Sequence, residues 1–234
     1  MPHADLTVAA GTTYSITSQG PAPVVCIFNN VIVEQNASIV FECDCSFTCQ
    51  QFTQVTGTST VPTLNFAGTS WPAPAPAAAS GANGARGQDG QTPPTPPKAA
   101  KGQPGPVATL NLGSCTGPIT IYYGGGDGQQ GAAGGKGGNA GPPDTAGKPG
   151  ARGGNGGNGG DGGNGGDTGQ ITIYYISTGQ ESFTTTQVGC AGGSGGVGGQ
   201  PGQGQPTGDP GQPGQAGNAS VPPNIILTKE QPSL

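Results

Sequence analysis

The sequence predicts an all-β base, either a small β-solenoid or a β-sandwich, carrying glycine-rich helical insertions of the polyproline II (polyglycine II) type, with essentially no α-helix. Three observations predict it. Glycine keeps a period of three: from Gly147 it recurs at 150, 153, 156, 159, 162 and 165, while a second track runs through Gly154, Gly157, Gly160, Gly163 and Gly166. Three residues per turn is the period of polyproline II, which makes no internal hydrogen bonds, so glycine on one face lets a neighbouring backbone come close enough to supply them. The remaining chain holds short apolar runs with no helical periodicity. Strand-like segments also flank every glycine run, and they repeat.

Taken in order, residues 1–71 form a β-rich region with four of the six cysteines: Val24, Val25, Ile27, Phe28, Val31, Ile32, Val33, Ile39, Val40 and Phe41 come in runs split by Asn29-Asn30 and Gln35-Asn36. A first Gly/Pro-rich excursion covers 72–106, in which Pro93 and Pro96 take glycine slots without breaking the count, as the fixed φ of proline allows. Strands follow at 107–123, a second excursion at 124–167, strands at 168–188, a third excursion at 189–219, and a C-terminal strand and tail at 220–234. Thr116-Gly-Pro-Ile-Thr-Ile-Tyr-Tyr123 enters the second excursion and Thr168-Gly-Gln-Ile-Thr-Ile-Tyr-Tyr175 leaves it, a repeat that suggests equivalent places in a sheet. Val61-Pro-Thr-Leu-Asn-Phe66 and Val107-Ala-Thr-Leu-Asn-Leu112 flank the first in the same way. At ~3.1 Å per residue the second excursion has a path of about 136 Å, or two to four passes of about 30–60 Å. Phase breaks near Asp144, Pro201 and Gln205 mark the expected reversals.

Composition bounds the function. With 49 glycines, 24 prolines and 31% hydrophobic residues the chain would read as disordered but for the strict phase, which random linkers do not keep. The strands are too few to stabilise the whole alone, so Cys26, Cys43, Cys45, Cys49, Cys115 and Cys190 are expected to form three bridges in an oxidising compartment, with connectivity open. Zinc or a cluster at Cys43-Asp-Cys45-Ser-Phe-Thr-Cys49 is the alternative, although paired C-x-x-C spacing is lacking and the one histidine is His3; no metal or cofactor is assigned. A net charge of −5 excludes nucleic acid as the natural partner, and no apolar run is long enough for a membrane span. Arg86, Lys98, Lys101, Lys136, Lys148 and Arg152 read as solvating side chains on the glycine runs.

Motifs of chemistry are few. Gly126-Asp-Gly128-Gln-Gln-Gly131 fits G-x-G-x-x-G, but no helix follows and a three-residue glycine period generates the pattern by itself. Asp161 and Asp167, two turns apart on one face, could hold calcium loosely or simply be solvated. One histidine rules out ordinary Ser/Cys–His machinery, and the twelve carboxylates show no local pairing, so the chain is not expected to be an enzyme. Tyr122, Tyr123, Tyr174, Tyr175 and Trp71 are the aromatics that pack a lid between sheet and glycine runs or contact a glycan or partner chain, one tyrosine of each pair facing in. Asn36 and Asn218 fit the glycosylation acceptor pattern.

The triplet runs at 81–105, 124–167 and 189–217 resemble those of polyglycine II bundle proteins, among them springtail antifreeze proteins and the adhesins that tip the long tail fibres of T-even-like phages. The resemblance is one of pattern. It implies an intramolecular bundle and, in the adhesin case, receptor contacts from loops at the phase breaks, here Pro142-Pro-Asp-Thr145 and Gln203-Gly-Gln-Pro-Thr207. In the antifreeze case it implies a flat face of small residues, whereas Asn155, Asn158, Asp161, Asn164, Lys136 and Lys148 would hydrate that face here. The expected function is therefore an extracellular or virion-surface structural protein. It self-associates into a fibre through strand edges at Leu6 and Val8 and at Asn224, Ile225, Ile226 and Leu227. A receptor- or glycan-binding adhesin is the alternative and ice binding a further one.

Overall fold

The computed structural model describes residues 3–18, 20–57, 60–144, 150–221 and 225–231, and no helix is found among them. Nine strands are present: β1 (Ala4–Val8), β2 (Thr13–Ile16), β3 (Val24–Val33), β4 (Ser38–Phe41), β5 (Cys45–Gln54), β6 (Leu64–Ala67), β7 (Ala108–Gly124), β8 (Ile171–Gln187) and β9 (Ile226–Glu230). All their pairings are parallel.

The chain coils between two walls. One wall stacks β1, β3, β5, the first half of β7, the first half of β8, and β9. The other stacks β2, β4, β6 and the second halves of β7 and β8. The long strands β7 and β8 each cross from one wall to the other, and Gly117, at φ +91°, supplies the left-handed corner in β7 where a side chain would also strike the Gln54 carbonyl. Of the two bases the sequence allows, the parallel register fits the coil and not a sandwich of antiparallel sheets.

Side-chain alternation explains why these segments become strands. Ala108, Leu110, Leu112, Ile119 and Ile121 point inward from β7 and are at most 1% exposed, while Thr109, Asn111 and Thr120 between them face outward. Inward residues stack rung on rung: Phe47, Leu110 and Ile173 in one wall, Ile39, Leu64 and Ile121 in the other. Phe41 stacks on Phe66 at 4.3 Å and meets Phe47 edge-on at 5.9 Å, joining the two walls.

The repeated octapeptide corrects one expectation. Ile119–Tyr123 lies in the wall of β6, whereas Ile171–Tyr175 lies in the opposite wall, paired with Ala108–Asn111 and β9. The two copies share an inward Ile-x-Ile pattern because both line the same core, but they occupy different rungs and walls. Each excursion leaves the end of the second wall and returns to the start of the first.

The cysteines supply a second correction. All six are free thiols where three bridges were expected. Cys45, Cys49 and Cys115 take inward core positions, and burial pushes each thiol up to about 12, with nearby Cys43, Cys26 and Asp44 adding to the effect at Cys45. Burial chiefly, and then Cys43, raises Cys26; burial, Asp44 and Glu42 raise Cys43. Cysteine acts here as a small apolar residue. Cys190 accepts the Gly125 N–H on its sulfur at 2.9 Å, at the foot of the second and third excursions.

Candidate functional site

Each described excursion runs out and back, giving six passes in a two-by-three array. Outgoing passes bond to outgoing ones: Ala75, Ala78, Gly81 and Gly84 donate to the carbonyls of Gln130, Ala133, Lys136 and Asn139, and Gly128, Gly131, Gly134 and Gly137 to Ala191, Ser194, Val197 and Gln200. Returning passes do the same, Gly156, Gly159, Gly162 and Gly165 reaching Asp209, Gln212, Gln215 and Asn218. Cross-links tie the two rows: Gly163 donates to Gln129, Gly193 to Gly163, and Gly217 to Gly193, at 2.8 Å each. Donors to any one neighbour recur every third residue because every third residue faces that neighbour. A side chain has no room at these contacts, since a Cβ on Gly163 or Gly196 would lie 1.9 Å from a backbone oxygen.

The spacer residues have a role that their polarity alone did not disclose. Asn155 Oδ1 accepts the Asp209 N–H at 2.9 Å while the next residue, Gly156, donates to the Asp209 carbonyl at 2.8 Å. One residue is thus held at both its backbone groups. The same clamp joins Asn158-Gly159 to Gln212, Asp161-Gly162 to Gln215 and Asn164-Gly165 to Asn218. It recurs at Asn83-Gly84 on Asn139, Asp89-Gly90 on Arg152 and Asp127-Gly128 on Ala191, so every Asn–Gly and Asp–Gly dipeptide in the chain is used this way. Asn155, Asn158, Asp161 and Asn164 were expected to hydrate a face; they cap the amides of the adjacent pass. Asp161 is engaged by Gln215, and Asp167 by Lys101 and Ser220. Among the described residues no three His, Cys, Asp or Glu side chains gather as metal ligands.

Two ionic clusters span the stack. Near the coil, Lys101 of the first excursion pairs with Asp167 of the second, which also accepts the Ser220 hydroxyl of the third at 2.7 Å. Near the far end, Arg152 pairs with Asp209 while its N–H reaches Asp89 at 2.7 Å. Lys101 and Arg152 are therefore cross-links and not merely solvating; Lys148 lies outside the described residues. The Lys101 and Ser220 hydrogen bonds, and then the Lys101 charge, hold the Asp167 carboxyl below its ordinary value. A depressed carboxyl contributes stability that is complete above its unfolded pKa and is lost as pH falls through the folded one. The excursions are accordingly expected to loosen from about pH 4 downward, and Asp167→Asn should flatten that acid limb in thermal melts taken across pH.

The residues singled out by sequence do not converge on one site. Tyr122 and Tyr174 face outward and are half-buried, while Tyr123 and Tyr175 pack against the core, Tyr175 on Phe183 at 4.7 Å. Their two pairs lie in opposite walls. Trp71, 41% exposed, donates its indole N–H to the Lys101 carbonyl at 2.8 Å. Asn36, at φ +56°, accepts the Thr60 N–H, and Ser38 of its acceptor pattern is buried. Asn218 is exposed and clamped by Asn164. In the candidate assembly strands Leu6 and Ile225 are half-buried, Val8 is in the core, and Ile226 and Leu227 are exposed; Asn224 lies outside the described residues. The reversals do converge. Gly87 bonds to Pro142, Ala140 to Gln203 and Gly153 to Pro206, so the tips of all three excursions meet at the end away from the coil. An open groove of about 500 Å³ lies there between residues 139–143, 150–151 and 203–205. Thr145 of the second excursion's tip loop lies outside the described residues, and Pro201 sits within a pass, not at a reversal.

No protein family and no curated protein matches the chain. Among solved structures it is similar to a springtail antifreeze protein from Granisotoma rainieri, a nine polyproline type II helical bundle whose crystal waters match the ice lattice. Identity is 26% over 67% of this chain and 94% of that one, with a TM-score of 0.21, a likeness too weak to carry any property across.

Proposed function

We propose that the protein is a non-enzymatic structural subunit of an extracellular or virion surface, assembling end to end through the strand edges of its coil. We read the six passes as a polyglycine II bundle: donors every third residue, glycine at each close contact and proline in glycine slots all support that reading. The observation that carries the assembly is the pair of coil ends. Among the described residues β1 and β2 have no strand beyond them at one end, β9 and the second half of β8 none at the other, and within each wall the strands run parallel. Such edges pair with those of another copy without any reversal. Where β8 ends the second wall, Thr185 and Gln187 stand over Ile121 and Tyr123, so contact there rests on backbone bonds more than on apolar burial.

Light scattering with negative-stain microscopy over a concentration series tests this. Growth into filaments is expected, and the double substitution Ile226→Lys with Thr228→Lys on the outer strand should suppress it. A monomer at every concentration contradicts the proposal. A second reading, binding of a receptor or glycan, is favoured by the meeting of the three tips. It requires that exchanging residues 203–207 abolish cell or glycan binding while the melting temperature stays unchanged.

A further inference from the structure

The Asx–Gly clamps bear on a reaction that needs no enzyme. In an Asn–Gly pair the glycine nitrogen attacks the asparagine Cγ and expels ammonia to give a cyclic succinimide. One water then opens the ring at either carbonyl, leaving aspartate or isoaspartate. Four such pairs occur, at Asn83, Asn155, Asn158 and Asn164. In each, the two groups that must join are held apart on one residue of the next pass: the glycine N–H donates to its carbonyl and the asparagine Oδ1 accepts its N–H. Asn83, Asn158 and Asn164 are exposed, so water reaches them freely and burial is not what would slow the reaction.

We propose that Asn83, Asn155, Asn158 and Asn164 are latent deamidation sites, kept unreactive by their clamps, so that their conversion records opening of the glycine bundle. The two products differ in consequence. Aspartate fits, because Asp161 already holds the same place with its Oδ1 2.8 Å from the Gln215 amide. Isoaspartate adds a methylene to the backbone and puts the glycine track out of phase with its neighbour. Three of the four sites clamp the final pass, at Asp209, Gln212 and Asn218, which is therefore the pass that damage releases.

The test incubates the full chain in mildly alkaline buffer, folded and in concentrated guanidinium, and follows all four sites by peptide-mapping mass spectrometry. Amide exchange of Gly156, Gly159 and Gly165 is measured on the folded sample. Conversion at least about tenfold slower in the folded chain, with those amides protected, is the expected result. Equal rates with protected amides would overturn the proposal while leaving the bundle intact. Unprotected amides would overturn the bundle and the proposal together. Asn158→Asp should keep the Gly159 amide protected, and loss of that protection would refute the stated tolerance for aspartate.

Discussion

Replacing Gly163 by alanine is expected to destabilise the protein by about 3 kcal/mol, the upper end of the range for an overpacked interior. The added Cβ would lie 1.9 Å from the Ala100 carbonyl oxygen. Backbone cannot rotate away as a side chain can, and Gly163 also donates to Gln129 and accepts from Gly193. Moving it breaks bonds to two passes and presses on a third. Gly20→Ala is the control, since nothing lies within 4 Å of its Cβ and the change should fall within about 0.5 kcal/mol. Paired denaturant titrations decide the matter; equal midpoints would mean that the passes are not packed backbone on backbone.

Phe41→Ala is expected to cost about 3–5 kcal/mol and to melt the glycine passes along with the coil. Phe41 is fully buried, stacked on Phe66 and edge-on to Phe47, so truncation opens a cavity between two walls. The passes have little apolar burial of their own, a small cluster of Ala75, Ala99 and Ala132, and both ends of every excursion are rooted in coil strands. Trp71 is the one tryptophan, placed at the foot of the first excursion, so its fluorescence reports on the passes while far-UV dichroism reports on the strands. The two signals should shift together in the variant. Val25→Ala on the exposed face of β3 should leave both within about 0.5 kcal/mol of the parent. A Phe41→Ala chain that loses strand signal while Trp71 stays unchanged would show that the passes stand without the coil.

The period of three was legible because most of the described glycines on it, Gly153, Gly156, Gly159, Gly162 and Gly165 among them, meet a backbone oxygen that no other residue would clear. Inward alternation in Ile119-Thr-Ile121 and Ile171-Thr-Ile173 was legible for the same steric reason. What the pattern does not carry is the wall in which each copy lies: a core reads alike from both sides, so strings that differ only at Pro118 and Gln170 read as equivalent places. The cysteine count misled through chemistry. A thiol in an apolar row looks no different in sequence from one awaiting a partner, and Cys45, Cys49 and Cys115 are core residues. The clamps did have a signal. Asn and Asp immediately before glycine at the lattice spacing is what reading one residue at both backbone groups requires, and polarity alone concealed it behind the expectation of a hydrated face.

Amide hydrogen exchange resolved along the glycine runs decides whether the passes are bonded backbone to backbone. Protection is expected at both glycines of Gly156-Gly157, Gly159-Gly160 and Gly162-Gly163 on the returning second pass, and at every third residue, Gly193, Gly196 and Gly199, on the outgoing third pass, since the acceptors of all these amides lie within the array. Ser194 and Val197, which face outward on the outer pass, should exchange quickly. Fast exchange throughout residues 153–166 and 190–202, with the strands of the coil still protected, would contradict it.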